Sequence, residues 1–159
     1  MSDAKAFFLA LFSLFIFAGC GEPRDKTALH DVHWDRDMCE RCKMVTSDRH
    51  HAVQVINPKT GQSYMFDDIG CVTLWFEDEK ILWQKEAKIW ITDTKTGAWI
   101  DARTAYYDTN NITPMAYGFG AHANKTDIKT GEEVIRFDTL APRIKKIEET
   151  NTANARNIQ

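Results

Sequence analysis

The chain has 159 residues and a formal net charge of −3, a size that fits one compact domain or two small packed halves. The nearly balanced charge gives no basic footprint for nucleic acid. The sequence also lacks a recognisable nucleophile–base motif, a phosphate loop and a cofactor fingerprint, so we do not expect an enzyme.

The N-terminal residues are typical of a secretory signal. An apolar stretch at 7–18 is shorter than the roughly 20 residues that span a bilayer, but it fits a signal peptide. A glycine and Cys20 follow it, and this order resembles a bacterial lipobox. The resemblance implies cleavage of residues 1–19 and a diacylglycerol thioether on Cys20. We therefore expect a lipoprotein of the cell envelope, and Gly21 favours the outer membrane if the cell is Gram-negative.

Polar segments flank the predicted folded part. Residues 20–33 are polar and predict a flexible tether, while residues 150–159 have almost nothing to bury and predict a disordered tail. The folded domain is then expected at 34–149. It divides into possible halves at 34–95 and 96–149.

The first half predicts a hairpin, a helix and a strand. Residues 51–66 contain two short apolar runs around Asn-Pro-Lys-Thr-Gly, which is turn chemistry. Asp67 or Asp68 is then a good N-cap, because its carboxylate can accept from free backbone N–H groups. Apolar residues at helical spacing predict a helix at 68–79, and residues 88–93 predict a third strand.

The second half repeats this order of elements. Strands are predicted at 99–107, 116–123 and 133–137, with a short helix near 125–130. A closing helix is predicted at 142–149. The predicted fold class is therefore α+β, with two tandem β-β-α-β units and small antiparallel or mixed sheets.

The number of cysteines indicates that the chain is not a disulfide-stapled fold. Four cysteines are present, and three remain if Cys20 carries a lipid. A purely structural set of disulfides in an oxidising compartment would be even in number. At least one thiol is therefore free, bound to a metal or paired with another chain.

Cys39-x-x-Cys42 lies on a predicted loop before the first strand. The pair fits a disulfide, a redox dithiol or half of a metal site. A thioredoxin-type dithiol should lie at the beginning of a helix, but the residues after Cys42 do not have a helical pattern. A zinc ribbon needs a second Cys-x-x-Cys pair, and the sequence has none. Cys71 could complete a site with a histidine, but its place in a predicted amphipathic helix favours packing as a small hydrophobe.

Methionines add soft donors to this loop. Cys42-x-Met44 puts a thiolate and a thioether two residues apart, so both point the same way in an extended segment, and such ligands favour Cu(I) over zinc or hard ions. Met115, after a proline at a predicted loop–strand junction, is a candidate third sulfur. His50 or His51 could supply a nitrogen. Taken alone, Met44 fits the start of the core better than a ligand, and Met115 fits a plug at the open end of the sheet equally well. Each histidine taken alone fits a solvated surface position better.

Together these stretches resemble the NosL family, lipoproteins that act as copper chaperones in the assembly of nitrous oxide reductase. The resemblance rests on five stretches in order: the lipobox, Cys39-x-x-Cys42-x-Met44, and residues 64–71, 99–103 and 114–121. It covers nearly the whole mature chain, residues 34–140.

The resemblance implies a duplicated β-β-α-β fold and one Cu(I) ion per protein. It also implies delivery of the ion to the nitrous oxide reductase apoprotein, helped by a membrane complex of the ABC type. Carried over residue by residue, it implies Cys42 and Met115 as ligands, with Met44 and a histidine such as His51, or an outside ligand, as the remainder. Family members often show a closer cysteine spacing, so Cys39 is a ligand, a disulfide partner of Cys42, or neither.

Two other functions fit the same residues. A thiol–disulfide protein that keeps a partner's cysteines reduced would need Cys39 and Cys42 but neither Met44 nor Met115. A zinc-stabilised lipoprotein that scaffolds other envelope proteins would need no copper. The soft donors taken together favour the Cu(I) chaperone.

Overall fold

The polypeptide, seen in a computed structural model that describes residues 25–156, has an α+β fold, as predicted. Within these described residues the strands form two antiparallel sheets, and the two α-helices pack against each other. The predicted signal peptide at 1–19 and the predicted lipid site Cys20 lie outside the described residues. No helix within 25–156 is long and apolar enough to cross a membrane.

The larger sheet has four strands: β1 (Val53–Ile56), β2 (Ser63–Phe66), β3 (Lys88–Thr92) and β4 (Trp99–Asp101). Their spatial order is β2-β1-β3-β4, and all neighbours are antiparallel. The central strand β1 is buried along its whole length. The predicted hairpin at 51–66 is confirmed. Its turn places Gly61 at φ +79°, a conformation that glycine adopts without steric cost.

Helix α1 (Ile69–Asp78) follows β2 directly, close to its predicted bounds. Asp68 is the N-cap, with extended backbone, and its carboxylate accepts from the Gly70 N–H at 2.8 Å. The buried face of the helix packs on the sheet, where the rings of Trp75 and Phe66 lie 5.2 Å apart. The first half therefore has the predicted order β-β-α-β.

The smaller sheet consists of β5 (Tyr106–Asp108), β6 (Gly120–His122) and β7 (Ile135–Arg136). Its order is β6-β5-β7, again antiparallel. The prediction of a single strand at 99–107 is wrong, because this stretch contains β4 and β5, which belong to different sheets. The chain turns between them, where the N–H groups of Thr104 and Ala105 both donate to the Asp101 carbonyl.

The α-helix predicted near 125–130 is a single 3₁₀ turn, Lys125–Asp127. Ile128 is the one buried residue of that stretch. A longer helix would have no apolar face to pack, and tertiary packing of such a face supplies most helical stability. The second half therefore repeats the strands of the first half but not its helix.

Helix α2 (Leu140–Arg156) is the predicted closing helix, but it is longer at both ends. It buries Leu140 and Ile144, which anchor its first turns. Residues 150–156, for which we expected a disordered tail, continue the helix with exposed side chains. Once a helix has begun, each added residue gains a backbone hydrogen bond, and the Thr150 hydroxyl also donates to the Lys146 carbonyl at 2.8 Å.

The described part of the predicted tether is bonded to the larger sheet. Trp90 Nε1 donates to the Thr27 carbonyl at 3.0 Å. The Gln54 side chain, buried in β1, accepts from the His30 N–H at 2.8 Å and donates to its carbonyl at 3.3 Å. Residues 25–33 are therefore held in place, because these polar groups find partners that are distant in sequence.

Candidate metal centre

Three cysteines and one aspartate meet at one end of the larger sheet. One ligand atom from each of Cys39, Cys42, Asp67 and Cys71 lies within 4.8 Å of all the others. Cys42 is partly exposed and the other three are buried. All three cysteines carry free thiols. We name these four residues the cysteine cluster.

The loop that carries Cys39 and Cys42 is shaped by backbone hydrogen bonds. The Cys39 N–H donates to the Met44 carbonyl at 2.8 Å, and the Lys43 N–H donates back to the Cys39 carbonyl at 3.0 Å. The Glu40 N–H donates to the Met65 carbonyl at 2.8 Å. The first two bonds close the loop on itself, and the third ties it to β2.

Asp67 and Cys71 come from the junction between β2 and α1. Asp67 directly precedes the N-cap, and Cys71 lies in the first turn of the helix. The Cys42 thiol donates to the Asp67 carboxylate, with sulfur–oxygen distances of 3.4 and 3.5 Å. The strand–helix junction thus supplies one sulfur and one carboxylate to face the two thiols of the loop.

The three thiols differ in pKa. A hydrogen bond with Cys71 lowers the pKa of Cys39 to about 7, although burial opposes the shift. Burial raises the pKa of Cys42 to about 12. The hydrogen bond with Cys39, followed by burial, raises the pKa of Cys71. Cys39 is therefore the thiol of the cluster that loses its proton most readily, because the Cys71 thiol can donate to its thiolate.

The donor set suits a soft or borderline metal ion. Thiolates are the ligands that select Cu(I), zinc and iron–sulfur clusters. Three sulfurs and a carboxylate oxygen could also complete the tetrahedron that zinc prefers. The cluster can thus hold one ion, and its burial limits access of water to the ligands.

The loop that carries Met115 packs on the beginning of α1. The Asp68 carboxylate accepts from the Thr113 hydroxyl at 2.5 Å and from the Met115 N–H at 3.3 Å. Burial raises the pKa of Asp68, although these hydrogen bonds lower it in part. The N-cap of the helix that carries Cys71 thus also holds the Met115 backbone.

The sequence matches no protein-family model, and no curated protein matches it. Among solved structures, the fold is similar to the crystal structure of the copper chaperone NosL from Shewanella denitrificans, with a TM-score of 0.52. The two chains are 16% identical, and the match covers 74% of this chain and 96% of that chain. This chain has a NosL-like fold. The NosL-like fold that the sequence resemblance implied is therefore confirmed, although the helix of its second β-β-α-β unit is only a 3₁₀ turn.

Within this NosL-like fold, the structure brings Cys39 and Cys42 together, as their spacing suggested. It adds Cys71, for which we favoured packing, and Asp67, which we considered as a helix cap. The cap is in fact the next residue, Asp68. The signal in the sequence was Asp-Asp-Ile-Gly-Cys at a strand–helix junction, because a residue just before a helix and one in its first turn lie at the same end.

The three other candidate ligands have different surroundings. Met44 is half exposed. Met115 packs, partly buried, against the hydrophobic core. His51 does not join the cysteine cluster: its Nδ1 lies 2.9 Å from an Asp48 carboxylate oxygen, and its Nε2 is buried without a hydrogen-bond partner. Their roles as copper ligands stay predictions.

Proposed function

We propose that this protein is a Cu(I)-binding metallochaperone of the cell envelope, anchored by a lipid on Cys20, which delivers copper for the maturation of nitrous oxide reductase. The observation that carries the proposal is the convergence of Cys39, Cys42 and Cys71 in one buried cluster. The NosL-like fold supports it, because the solved structure of that fold belongs to a copper chaperone.

The cluster has the chemistry that a copper carrier needs. Soft thiolates hold Cu(I) tightly, and binding the ion displaces the thiol protons. Cys42 is the partly exposed member of the cluster, so an acceptor can approach the ion from its side. The acceptor can then add its own sulfur or imidazole before the last donor thiolate leaves.

The proposed acceptor is the nitrous oxide reductase apoprotein, with help from an ABC-type membrane complex. The lipid would hold the domain near the membrane, with the outer membrane favoured in a Gram-negative cell. Because Thr27 and His30 are bonded to the larger sheet, the distance from Cys20 to the folded domain is limited by few residues. From Cys20 to Asp25 the chain spans at most about 18 Å at ~3.5 Å per residue, so both partners would have to meet the chaperone close to the bilayer.

Anaerobic titration with Cu(I) against a chromophoric chelator tests the site. We expect one ion per protein, and we expect Cys42→Ser and Cys71→Ser each to weaken Cu(I) binding by at least about tenfold, because each removes a soft ligand. X-ray absorption would then count the sulfur neighbours. Met44→Leu and Met115→Leu serve as parallel variants that measure the thioether contribution. Undiminished binding by Cys71→Ser would exclude the cluster as the site.

A zinc-stabilised scaffold is the second candidate, and Asp67 is the observation that favours it. A carboxylate oxygen is a common zinc ligand but a poor partner for Cu(I). Asp67→Asn should therefore weaken zinc binding strongly and leave Cu(I) affinity nearly unchanged. Zinc that co-purifies with the reduced protein and is lost in Asp67→Asn would support the scaffold instead of the chaperone.

A thiol–disulfide function is less well supported by the geometry. An exchange reaction needs a thiolate that the partner disulfide can reach. Cys39 has the lowered pKa, but its exposed fraction is 0%. Cys42 is the accessible thiol, and burial raises its pKa to about 12. The reactive form and the accessible position thus fall on different cysteines.

A further inference from the structure

Arg41 lies between the two cysteines of the Cys39–Cys42 loop and turns away from them into a network of acceptors. Its Nε donates to Asp78 Oδ2 at 3.0 Å. One terminal nitrogen donates to the Tyr117 hydroxyl at 3.3 Å, and the other donates to Glu148 Oε1 at 3.0 Å. A single guanidinium thus joins the loop to the C-terminal end of α1, to the Met115 loop and to α2.

Tyr117 closes this network on the other side. Its hydroxyl donates to Glu148 Oε2 at 2.7 Å. Its ring lies directly over Gly70, so closely that a Cβ at that glycine would overlap the ring. Gly70 precedes Cys71, and Tyr117 follows Met115 by two residues. Tyr117, a residue of the loop that carries a candidate thioether, therefore contacts the helix turn that carries one cluster thiol.

We propose that Arg41 and Tyr117, with Glu148, are positioning residues that hold the Cys39–Cys42 loop against Cys71 and the Met115 loop. We name these three residues the Arg41 latch. The inference rests on the proposed metal site and identifies what sets the distance between its two halves.

The latch matters because few contacts outside the loop hold its Cys42 end. No helix or strand contains residues 39–42. Burial of Cys39 fixes one end of the loop, whereas Cys42 makes only long sulfur–oxygen contacts with Asp67, at 3.4 and 3.5 Å. The Arg41 side chain is only 21% exposed, so its hydrogen bonds are partly shielded from water and are stronger than those of a surface pair. Removing them would free Cys42, whereas Cys71 would stay fixed in α1.

The guanidinium shape is essential to this arrangement. It offers several donors in a rigid plane, whereas a lysine ammonium is one point charge on a flexible stem. Arg41→Lys keeps the charge but cannot reach three acceptors in three directions. It therefore tests geometry and leaves net charge constant. Tyr117→Phe removes one hydroxyl and keeps the ring over Gly70.

The matched control is Arg143→Lys. Arg143 lies on α2, the helix that also carries Glu148, and pairs with Glu133. Its side chain is more exposed than that of Arg41, and it makes no contact with the Cys39–Cys42 loop among the hydrogen bonds of the described residues. Any general effect of weakening an arginine pair on α2 would appear in this variant. The variants Arg41→Lys and Tyr117→Phe should differ from this control in cysteine alkylation rate or in Cu(I) affinity.

Two measurements on the reduced full chain test the latch. The first is the rate at which iodoacetamide alkylates each cysteine in the metal-free protein, followed by peptide mass spectrometry. Arg41→Lys should raise the rate at Cys42 several-fold without changing that at Cys71. The second is Cu(I) affinity, which should fall by about tenfold in Arg41→Lys, as when groups that orient metal ligands are lost, and by less in Tyr117→Phe.

Thermal unfolding of the same variants separates positioning from stability. The melting temperature of Arg41→Lys should stay close to that of Arg143→Lys. Equal alkylation rates and equal Cu(I) affinity in Arg41→Lys and wild type would overturn the latch. If wild type binds no Cu(I), the proposed function fails, but a faster alkylation of Cys42 in Arg41→Lys would still support the latch.

Discussion

The two sheets are stabilised by different kinds of contact. The larger sheet buries aliphatic side chains almost completely, including Val53, Val55 and Ile91. Its buried polar side chains include Gln54 and Thr92. The smaller sheet in addition buries a pair of ionisable residues. The Tyr107 hydroxyl donates to the Ala102 carbonyl at 2.6 Å, and His122 Nε2 lies 2.9 Å from Asp108 Oδ2.

This difference indicates that the two kinds of contact contribute differently to the fold. Apolar burial supplies most of the folding free energy and is not directional. Buried hydrogen bonds add less net free energy but require one geometry. The cysteine cluster is attached to the ends of the apolar sheet, while the Met115 loop is held by the polar contacts of Asp68 and Tyr117. The larger, mostly apolar sheet thus supports the thiols, whereas directional hydrogen bonds fix the orientation of the neighbouring Met115 loop.

The largest effect on stability is expected from Ile91→Ala in β3. Ile91 is 1% exposed, so truncation removes buried methylene groups and leaves a cavity, at a cost of about 2–5 kcal/mol. Urea unfolding monitored by tryptophan fluorescence measures it. Leu82→Ala is the control, because Leu82 is 96% exposed and its truncation should change stability little. A loss in Ile91→Ala no larger than in Leu82→Ala would contradict the apolar sheet as the main source of stability.

A smaller effect is expected where the two sheets meet, at Asp93. Its carboxylate accepts from the Thr96 N–H at 2.8 Å in the turn after β3, and from the Ala123 N–H at 2.8 Å just after β6. Burial acts to raise the pKa of Asp93, but hydrogen bonds from Ala123 and Thr96 outweigh it and hold the pKa below the ordinary 3.8. The ionised carboxylate therefore stabilises the folded state.

The sign of this pH dependence follows from the lowered pKa. The stabilisation is fully present above the pKa of the unfolded chain, about 3.9, and is lost as the pH falls through the folded pKa. At pH 7, Asp93→Asn should cost about 2 kcal/mol, since hydrogen bonds to a charged group are lost. The difference in unfolding free energy between wild type and variant should shrink below about pH 4. A constant difference from pH 7 to pH 3 would contradict this assignment.

The smallest effect is expected from Tyr107→Phe in the smaller sheet. The ring stays, but the Ala102 carbonyl loses its buried partner, which should cost about 1 kcal/mol. The same urea experiment measures it. If Tyr107→Phe destabilises the protein more than Ile91→Ala does, the comparison between an apolar and a polar sheet is wrong.

Much of the first half could be predicted because its signals are local. Asn-Pro-Lys-Thr-Gly specifies a turn, and a carboxylate before an apolar helical pattern specifies the beginning of α1. The second half was harder to predict. Residues 99–107 look like one strand, yet the chain turns inside them to reach a second sheet. That turn depends on which sheet each short strand joins, and contacts with residues distant in sequence decide this.

The candidate site could likewise be predicted only in part. Local spacing identified Cys39 and Cys42 as a pair, and it placed Met44 and Met115 among possible donors. It could not show that Cys71 and Asp67 face that pair, because a thiol in an amphipathic helix favours packing as a small hydrophobe. Arg41 gave no signal at all, since its three acceptors are 37 to 107 residues away in the chain.

The sequence alone determined the β-β-α-β order of the first half, the two candidate N-cap residues Asp67 and Asp68, and the presence of three thiols besides Cys20. These follow from periodicity, capping chemistry and counting, which need no distant contacts. The tertiary structure decided which side chains form the cluster, and that the tail of α2 and residues 25–33 are ordered. The physical reason is that convergence of ligands depends on how the strand–helix junction packs against the Cys39–Cys42 loop, and contacts between such distant segments set that packing.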